Sequence, residues 1–215
     1  MFVPFPYPFR RPKGMTAEEY GDHLVANFAS LFETEYHGVW DPKANKCEYA
    51  AFYVEPLQAT GGYIVPPMNY FKGLKKVLDK YGILLVVDEI QMGLYRTGKL
   101  WSIEHFDVKP DVIVFAKALT NGLNPLGGLW AREALINPEV FPAGSTHSTF
   151  AANPLGTAVA LDVLNMTQET DYEKMVMGSG AYFLSGLKTL EAKHNEVGEV
   201  DGLGLALRAE IRTED

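Results

Sequence analysis

Residues 83–91, with the sequence ILLVVDEIQ, constrain the fold of this 215-residue chain more than any other stretch. Five consecutive aliphatic residues are followed by two carboxylates, Asp88 and Glu89. A strand that is apolar on both faces is typical of a sheet covered by helices on both sides. Acids at its carboxyl end lie where open α/β sheets bind ligands. A buried strand whose acids simply reach solvent gives the same pattern, so both interpretations stay open at this point.

The flanking segments alternate between strand and helix patterns. A strand over residues 49–54, a helix over 69–81 and the strand over 83–87 form a β-α-β unit, for which parallel pairing with a right-handed crossover is expected. Three other helices are predicted: one begins at Thr16, one begins at Pro154, and one spans residues 171–193. Three other strands are predicted over residues 111–115, 127–130 and 203–211. The last strand has no predicted partner. The pattern predicts an α/β fold with a mostly parallel sheet and flanking helices.

Composition excludes several classes of protein. Hydrophobic residues make up 47% and charged residues 21%, which suits a sizeable core rather than disorder. A net charge of −8 without a basic stripe argues against nucleic acid as a partner. Cys47 is the single cysteine, so no disulfide framework is expected and a cytoplasmic location fits. No apolar run reaches about 18 residues, and the five histidines lack metal-ligand spacing, so neither a membrane span nor a metal site is expected.

The N-terminal 14 residues contain four aromatic residues and four prolines. Proline fixes the backbone in extended conformations, so an extended aromatic segment packed on a larger body is expected, with a proline-rich recognition peptide as the alternative. The order of apolar and charged residues does not match a signal peptide. No nucleophile elbow, P-loop or G-x-G-x-x-G is present, which disfavours serine-hydrolase and nucleotide-binding interpretations.

Lys117 follows the strand predicted over residues 111–115, next to the strand that ends in Asp88. A lysine at a strand end is most often a surface residue. A lysine that faces a ligand crevice beside a carboxylate instead suggests Schiff-base chemistry. Pyridoxal phosphate requires this pair, since an amine forms the imine and a carboxylate keeps the pyridine nitrogen protonated. An ion pair between the carboxylate and the ring nitrogen at about 4 Å is worth roughly 4 kcal/mol at an effective dielectric of 20. This raises the pKa of the nitrogen by about three units, which suffices to keep it protonated at neutral pH.

A phosphate site has a candidate in residues 145–150, with the sequence STHSTF. Its hydroxyls precede a helix whose N-cap and first residue are predicted to be Asn153 and Pro154. A helix N-terminus favours anions, although an ordinary capped loop has the same composition.

Six segments together resemble the class III aminotransferases, which are fold-type I enzymes that use pyridoxal phosphate and include the ornithine, acetylornithine and 4-aminobutyrate aminotransferases. The segments are VEPLQ at 54–58, VDEIQMG at 87–93, RTGK at 96–99, KPD at 109–111, AKAL at 116–119 and STFAANP at 148–154. The resemblance covers nearly the whole chain, and the six motifs occur in the expected order and spacing. The resemblance implies a partial fold-type I large domain.

The resemblance also implies roles for individual residues. Lys117 is the Schiff-base lysine and proton carrier, and Asp88 is the partner of the pyridine nitrogen. The other implied cofactor-binding residues are Ile90 on the ring face, Gln91 near the ring hydroxyl, Thr149 on the phosphate across a dimer interface, and Glu55 at a strand end close to the site. The loop that contains Arg96, Thr97 and Gly98 is implied to be structural.

Two departures from the family limit what the resemblance implies. Ala59 and Thr60 stand where the family usually has glycine and glutamate, and Thr60 cannot form the ion pair of a carboxylate switch, so substrate choice stays open. Family chains are also about twice this long. Tyr36-His37-Gly38 has the letters of an upstream family motif, but it follows the aromatic segment in a polar stretch and is interpreted as a coincidence.

The function implied is transfer of an amino group between an amino acid or ω-amino compound and a 2-oxo acid. Residues 1–170 are expected to be the later part of the cofactor domain and 171–215 the start of the C-terminal small domain. A homodimer or higher homo-oligomer is implied, without nucleic acid or membrane as partners. The alternatives are a decarboxylase or aminomutase of the same family, or an inactive fragment that acts as an assembly module. The isolated chain is expected to be inactive.

Overall fold

The computed structural model describes residues 1–34, 38–139 and 141–213. Tyr36 and His37, which were interpreted as a coincidental motif, lie outside the described residues. In chain order the helices and strands are α1 (Ala17–Glu33), β1 (Trp40–Asp41), β2 (Lys46–Cys47), β3 (Ala51–Val54), α2 (Tyr70–Lys80), β4 (Leu84–Asp88), β5 (Val112–Phe115), β6 (Gly128–Ala131), α3 (Pro154–Glu169), α4 (Tyr172–Glu191), β7 (Val197–Leu203) and β8 (Ala206–Ile211).

The central sheet has the strand order β3-β4-β5-β6. Its first three strands are parallel, with Val54 opposite Val87 and Val86 opposite Val112. The fourth strand runs antiparallel, with Gly128 opposite Phe115. The predicted α/β fold with a mostly parallel sheet is therefore confirmed, and β3-α2-β4 is the expected crossover unit.

The core lies between this sheet and helices α1 and α2. Leu85 and Val87 of β4 are fully buried against Phe71, Leu74 and Leu78 of α2. Full burial of such a side chain contributes about 1.5–3 kcal/mol. Helix α2 has 11 residues, too few for a stable isolated helix, so this packing must supply most of its stability.

Asp111 joins three strands of the sheet. Its Oδ2 accepts a hydrogen bond of 2.7 Å from the backbone N–H of Leu85, and its Oδ1 lies 2.9 Å from Nη2 of Arg132, just after β6. The carboxylate is buried, so losing it would leave a buried N–H without a partner. The aspartate of the KPD segment is thus a structural residue.

The C-terminal part of the sequence prediction was incomplete. The strand predicted over residues 203–211 is present as β8, but its upstream partner β7 was missed, and the two form an antiparallel hairpin in which Val200 pairs with Ala209. Strand β7 has the sequence VGEVDGL, in which two glycines and two acids hide the alternation that marks a strand. The turn requires Gly204, whose φ is +56°.

The hairpin turn packs on the Arg96-Thr97-Gly98 loop. Leu205 N–H donates a hydrogen bond of 3.1 Å to the carbonyl of Arg96. A Cβ at Gly204 would approach the Thr97 backbone to 2.5 Å, so only glycine permits this contact. On the other side, a Cβ at Gly180 of α4 would lie 2.1 Å from the Gly204 carbonyl. The loop therefore has a packing role between the central sheet region and the hairpin.

The N-terminal segment packs against this hairpin, as expected for an aromatic segment on a larger body. Tyr7 donates a hydrogen bond of 2.5 Å from its hydroxyl to Oε2 of Glu210, and the Arg208 guanidinium lies 4.9 Å from the Tyr7 ring centre. The segment is not wholly extended, because Pro8–Arg10 forms one 3₁₀ turn. Within the described ranges no helix has the length and apolar character needed to cross a membrane.

Candidate active site

Asp88 and Lys117 lie at the same edge of the sheet. Asp88 is the last residue of β4, and Lys117 comes two residues after the end of β5, where it opens the 3₁₀ helix Lys117–Thr120. Because β4 and β5 are parallel, both carboxyl ends lie at the edge where open α/β sheets bind ligands. The backbone of Lys117 has φ of +43°, a left-handed conformation that costs a non-glycine residue about 1–2 kcal/mol. Such strained residues are concentrated at functional sites.

The Lys117 amine is exposed and is held by Gln91. Its Nζ donates a hydrogen bond of 2.5 Å to Oε1 of Gln91, and Nε2 of Gln91 donates one of 3.0 Å to the Tyr63 hydroxyl. The structure thus brings together two of the residues predicted for the site. Tyr63 was missed by the sequence prediction, although the preceding Gly61-Gly62 pair indicates the tight turn that places it, with its own φ at +55°.

Asp88 has a hydrogen-bond donor on each carboxylate oxygen. Oδ2 accepts a bond of 2.6 Å from the Tyr53 hydroxyl, and Oδ1 accepts one of 3.0 Å from the backbone N–H of Ile90. Ile90 itself is half-buried. Burial and the neighbouring Asp88 raise the pKa of Tyr53 to about 12, so this phenol remains a donor at neutral pH.

Glu89 is directed away from this site and into the core. Its Oε2 accepts a hydrogen bond of 2.6 Å from Ser102 Oγ, and its Oε1 accepts one of 2.8 Å from Ile103 N–H. The residue is 1% exposed, and burial raises the pKa of its carboxyl to about 7. Successive residues of a strand point to opposite faces, so the adjacent acids have different environments.

Glu55 lies beside Asp88 but holds a loop. Its Oε2 accepts a hydrogen bond of 2.8 Å from Ala59 N–H, which fixes the start of the loop over residues 57–62. Glu55, Tyr53, Gln58 and Asp88 line one cavity of about 510 Å³, together with the N-terminal residues 1–5. The sequence prediction placed Glu55 close to the site, and the structure places it on the Asp88 side.

Thr149 lies in an exposed loop on the Lys117 side. Its neighbours Ser148 and Phe150 line a groove of about 600 Å³ with Lys117. The loop leads into α3, where the side chain of Asn153 accepts a hydrogen bond of 2.7 Å from Gly156 N–H, the predicted N-cap. Among the described residues no group of three or more histidine, cysteine, aspartate or glutamate side chains could hold a metal ion.

An amine and a carboxylate lie at the ends of neighbouring parallel strands, with a hydroxyl-bearing loop next to the amine, and groups of these types could hold pyridoxal phosphate. Residues 11–215 match the family model described as Aminotransferase class-III. The chain belongs to the class III aminotransferase family, whose members depend on pyridoxal phosphate.

Named relatives include enzymes of more than one type. The chain is 36% identical over 214 residues to an alanine/serine racemase of Pyrococcus horikoshii, covering 100% of this chain and 44% of the relative. It is 38% identical over 168 residues to an acetylornithine aminotransferase of Caldanaerobacter subterraneus, covering 78% and 42%.

The fold is similar to that of a thermostable (S)-enantioselective omega-transaminase from Thermomicrobium roseum. The TM-score is 0.86 at 35% identity, over 99% of this chain and 46% of that one. The chain therefore spans less than half the length of the relatives that it matches.

Proposed function

We propose that the protein moves an amino group between an amino acid or ω-amino compound and a 2-oxo acid, with pyridoxal phosphate as its cofactor. The observation that carries this proposal is the placement of Lys117, held by Gln91, beside the strand that ends in Asp88. When bound, the cofactor supplies an aldehyde for the lysine amine and a ring that absorbs the electron pair left at the substrate carbon. Family membership supports the same chemistry.

Each candidate residue has a proposed task. Lys117 Nζ would hold the cofactor aldehyde by condensing with it and releasing water; once the substrate amine has displaced it, the free lysine amine would carry the proton to and from the substrate carbon. Asp88 would accept a hydrogen bond from the protonated pyridine nitrogen, and Gln91, which accepts from Lys117 Nζ, would orient the amine. Ile90 packs on the ring face, and Glu55 fixes the adjoining loop. Thr149 is proposed to contact the phosphate held by the other subunit of a homodimer, which its exposed position permits.

The division of the chain at residue 170 remains a proposal. It is supported by the separate β7–β8 sheet and by the packing of α4 on that hairpin. We also propose that the protein forms a homo-oligomer, because α3 has exposed apolar residues that a partner subunit would cover. We propose a cytoplasmic location, because Cys47 is free and no disulfide is needed. Because the chain covers less than half of its relatives, we expect the isolated 215 residues to lack turnover.

The lysine assignment can be tested by chemical trapping. The purified chain is mixed with pyridoxal phosphate, reduced with borohydride and digested, and the modified lysines are located by mass spectrometry. We expect Lys117 to be the dominant site, with the signal lost in Lys117→Ala and retained in Lys193→Ala, which alters another exposed lysine. Equal labelling of many exposed lysines would contradict the Schiff-base role.

A turnover assay distinguishes an active enzyme from an inactive fragment that acts as an assembly module. An amino donor and pyruvate or 2-oxoglutarate are added to the 215-residue chain and to a full-length relative as positive control. Transamination by the isolated chain would show that these residues suffice, contrary to our expectation. Decarboxylated or rearranged products would instead support the decarboxylase or aminomutase alternative.

Amino-acid racemisation is a second candidate that the sequence prediction did not include. Two relatives that cover 100% and 98% of this chain are named as racemases, and the omega-transaminase from Thermomicrobium roseum covers 99%, so both reactions occur among relatives that match the whole chain. Racemisation removes and returns a proton on one carbon, so it needs no second substrate and no carboxylate switch. The exposed Thr60 at the usual glutamate position is compatible with that simpler cycle.

Solvent deuterium distinguishes the two reactions. An L-amino acid is incubated in D₂O, without a 2-oxo acid, with the full-length protein, by which we mean the longer enzyme of which we propose this chain to be a part. Racemisation yields the deuterated D-enantiomer without a 2-oxo product. Transamination yields one 2-oxo product per cofactor and proceeds further only when an acceptor is added.

A further inference from the structure

Tyr53 was not among the predicted site residues, yet its hydroxyl donates a hydrogen bond directly to one of them, Asp88. It lies on β3, opposite Val86 of β4, so Tyr53, Val86 and Asp88 project from the same face of the sheet. Its side chain is 58% exposed, yet its hydroxyl lies 2.6 Å from Oδ2 of Asp88. The other side of β3 is apolar, since Phe52 and Val54 pack on the core. The phenol is therefore the one hydroxyl that β3 brings to the sheet edge.

The two donors on Asp88 fix the carboxylate from both sides. The backbone N–H of Ile90 holds Oδ1 from within the same chain segment, whereas the Tyr53 hydroxyl holds Oδ2 from the neighbouring strand. A carboxylate has about four lone-pair positions. The Tyr53 hydroxyl and Ile90 N–H use two of them, which leaves two for a hydrogen bond donated by the protonated ring nitrogen.

We propose that Tyr53 is a positioning residue that holds the Asp88 carboxylate ready to pair with the pyridine nitrogen of the cofactor. This inference rests on the proposed function and deepens it. Without the hydroxyl, Asp88 keeps a single donor and is free to rotate about its side-chain bonds. The carboxylate would then be correctly oriented only part of the time. Its hydrogen bond to the cofactor nitrogen depends on geometry and would be weaker.

The contact can first be tested without cofactor. Tyrosine labelled with ¹³C at Cζ reports the ionisation of each phenol by NMR, and comparison with Tyr53→Phe assigns the signal. Because burial, and after it the hydrogen bond to Asp88, raise the pKa of Tyr53 to about 12, this phenol should remain mostly protonated at pH 11. In Asp88→Asn its titration should move towards 10. The nearby Glu55 also acts on Tyr53, so Glu55→Gln serves as the matched control and should give the smaller shift. A titration that does not respond to Asp88→Asn overturns the proposal.

The second test uses the full-length protein loaded with pyridoxal phosphate. Tyr53→Phe removes one oxygen and should lower kcat about tenfold with little change in KM, since one hydrogen bond to a charged group is lost. The visible absorption band should also change position or pH dependence. Tyr20→Phe, which removes the hydroxyl of a half-buried ring on α1 that lines neither site cavity, should leave both unchanged.

The outcomes separate this inference from the proposed function. If Lys117 is trapped by the cofactor while Tyr53→Phe leaves the band and kcat unchanged, the positioning role is overturned and the function stands. If Lys117 is not trapped, the positioning role is overturned together with the function, even where the NMR titration shows the contact with Asp88.

Discussion

The sheet region and the two long helices that follow it bury apolar residues to very different extents. Helix α2 buries Tyr70, Phe71, Leu74 and Leu78 within 11 residues. Helix α3 has 16 residues and buries only Gly156 and Ala160, and α4 has 20 and buries only Val176 and Gly180. Their large apolar side chains are exposed, namely Leu155, Leu161, Leu164 and Met166 on α3 and Met175, Met177, Tyr182, Phe183 and Leu190 on α4.

This difference shows where the described chain is stable by itself. The sheet region has a core of its own, which includes the strand that carries Asp88. The helices carry several large exposed apolar side chains, a composition that is typical of an interaction surface. The Lys117 groove lies between the two regions, because Ser148 and Phe150 precede α3. One wall of the proposed site is therefore rigidly supported and the other depends on α3 and its loop.

The largest expected effect is a core truncation in the sheet region. Phe71→Ala should lower the free energy of unfolding by about 3–5 kcal/mol, because it removes a fully buried ring and leaves a cavity. Leu161→Ala on α3, where the side chain is 60% exposed, should cost less than about 0.5 kcal/mol. Urea unfolding of both variants measures the contrast. Similar losses would show that α3 is packed in solution.

The next effect concerns pH. The carboxyl pKa of Glu89 is raised from 4.5 to about 7 in the folded chain, so the native state binds a proton more tightly than the unfolded one. Its favourable contribution is complete below pH 4.5 and is lost as the pH rises through 7. The shift of about 2.5 units corresponds to roughly 3 kcal/mol.

Glu89→Gln should remove this pH dependence. The amide retains an oxygen for Ile103 N–H and gains a donor for Ser102 Oγ, so packing is preserved. Urea unfolding between pH 5 and 8 should show a flatter profile and higher stability at pH 8. The exposed Asp162→Asn on α3 is the control, and its profile should follow the unaltered chain. An unchanged slope in Glu89→Gln would contradict the assignment.

The smallest effects are at the helix caps. Thr16 forms a capping box with Glu19 at the start of α1, and Asn153 caps α3. Each replacement by alanine should cost about 1 kcal/mol. We expect Thr16→Ala to lower global stability and Asn153→Ala to act locally, visible as faster hydrogen exchange within α3. Equal global losses would mean that α3 unfolds together with the sheet.

The sequence predicted those parts of the molecule that depend on local signals. The apolar run before Asp88, the strand before Lys117, and the caps at Thr16 and Asn153 are each encoded within a few residues, and all are present. Tyr53 and Tyr63 were missed because their partners lie 35 and 28 residues away, and only strand register and loop geometry bring them together. The β7 strand was missed because its glycines and acids carry no alternation. The structure does not test the cofactor roles of the site residues, which stay predictions for Lys117, Asp88, Ile90, Gln91, Glu55 and Thr149.

The left-handed backbone of Lys117 has a consequence for how this position can vary. Glycine would adopt the same conformation without the steric cost, so Lys117→Gly would relieve strain while removing the amine. An alanine at the position would lose the amine and keep the strain. Glycine is thus the residue most favourable for folding at position 117, but it has no amine and cannot take part in the proposed chemistry. A selection for stability alone would replace the lysine.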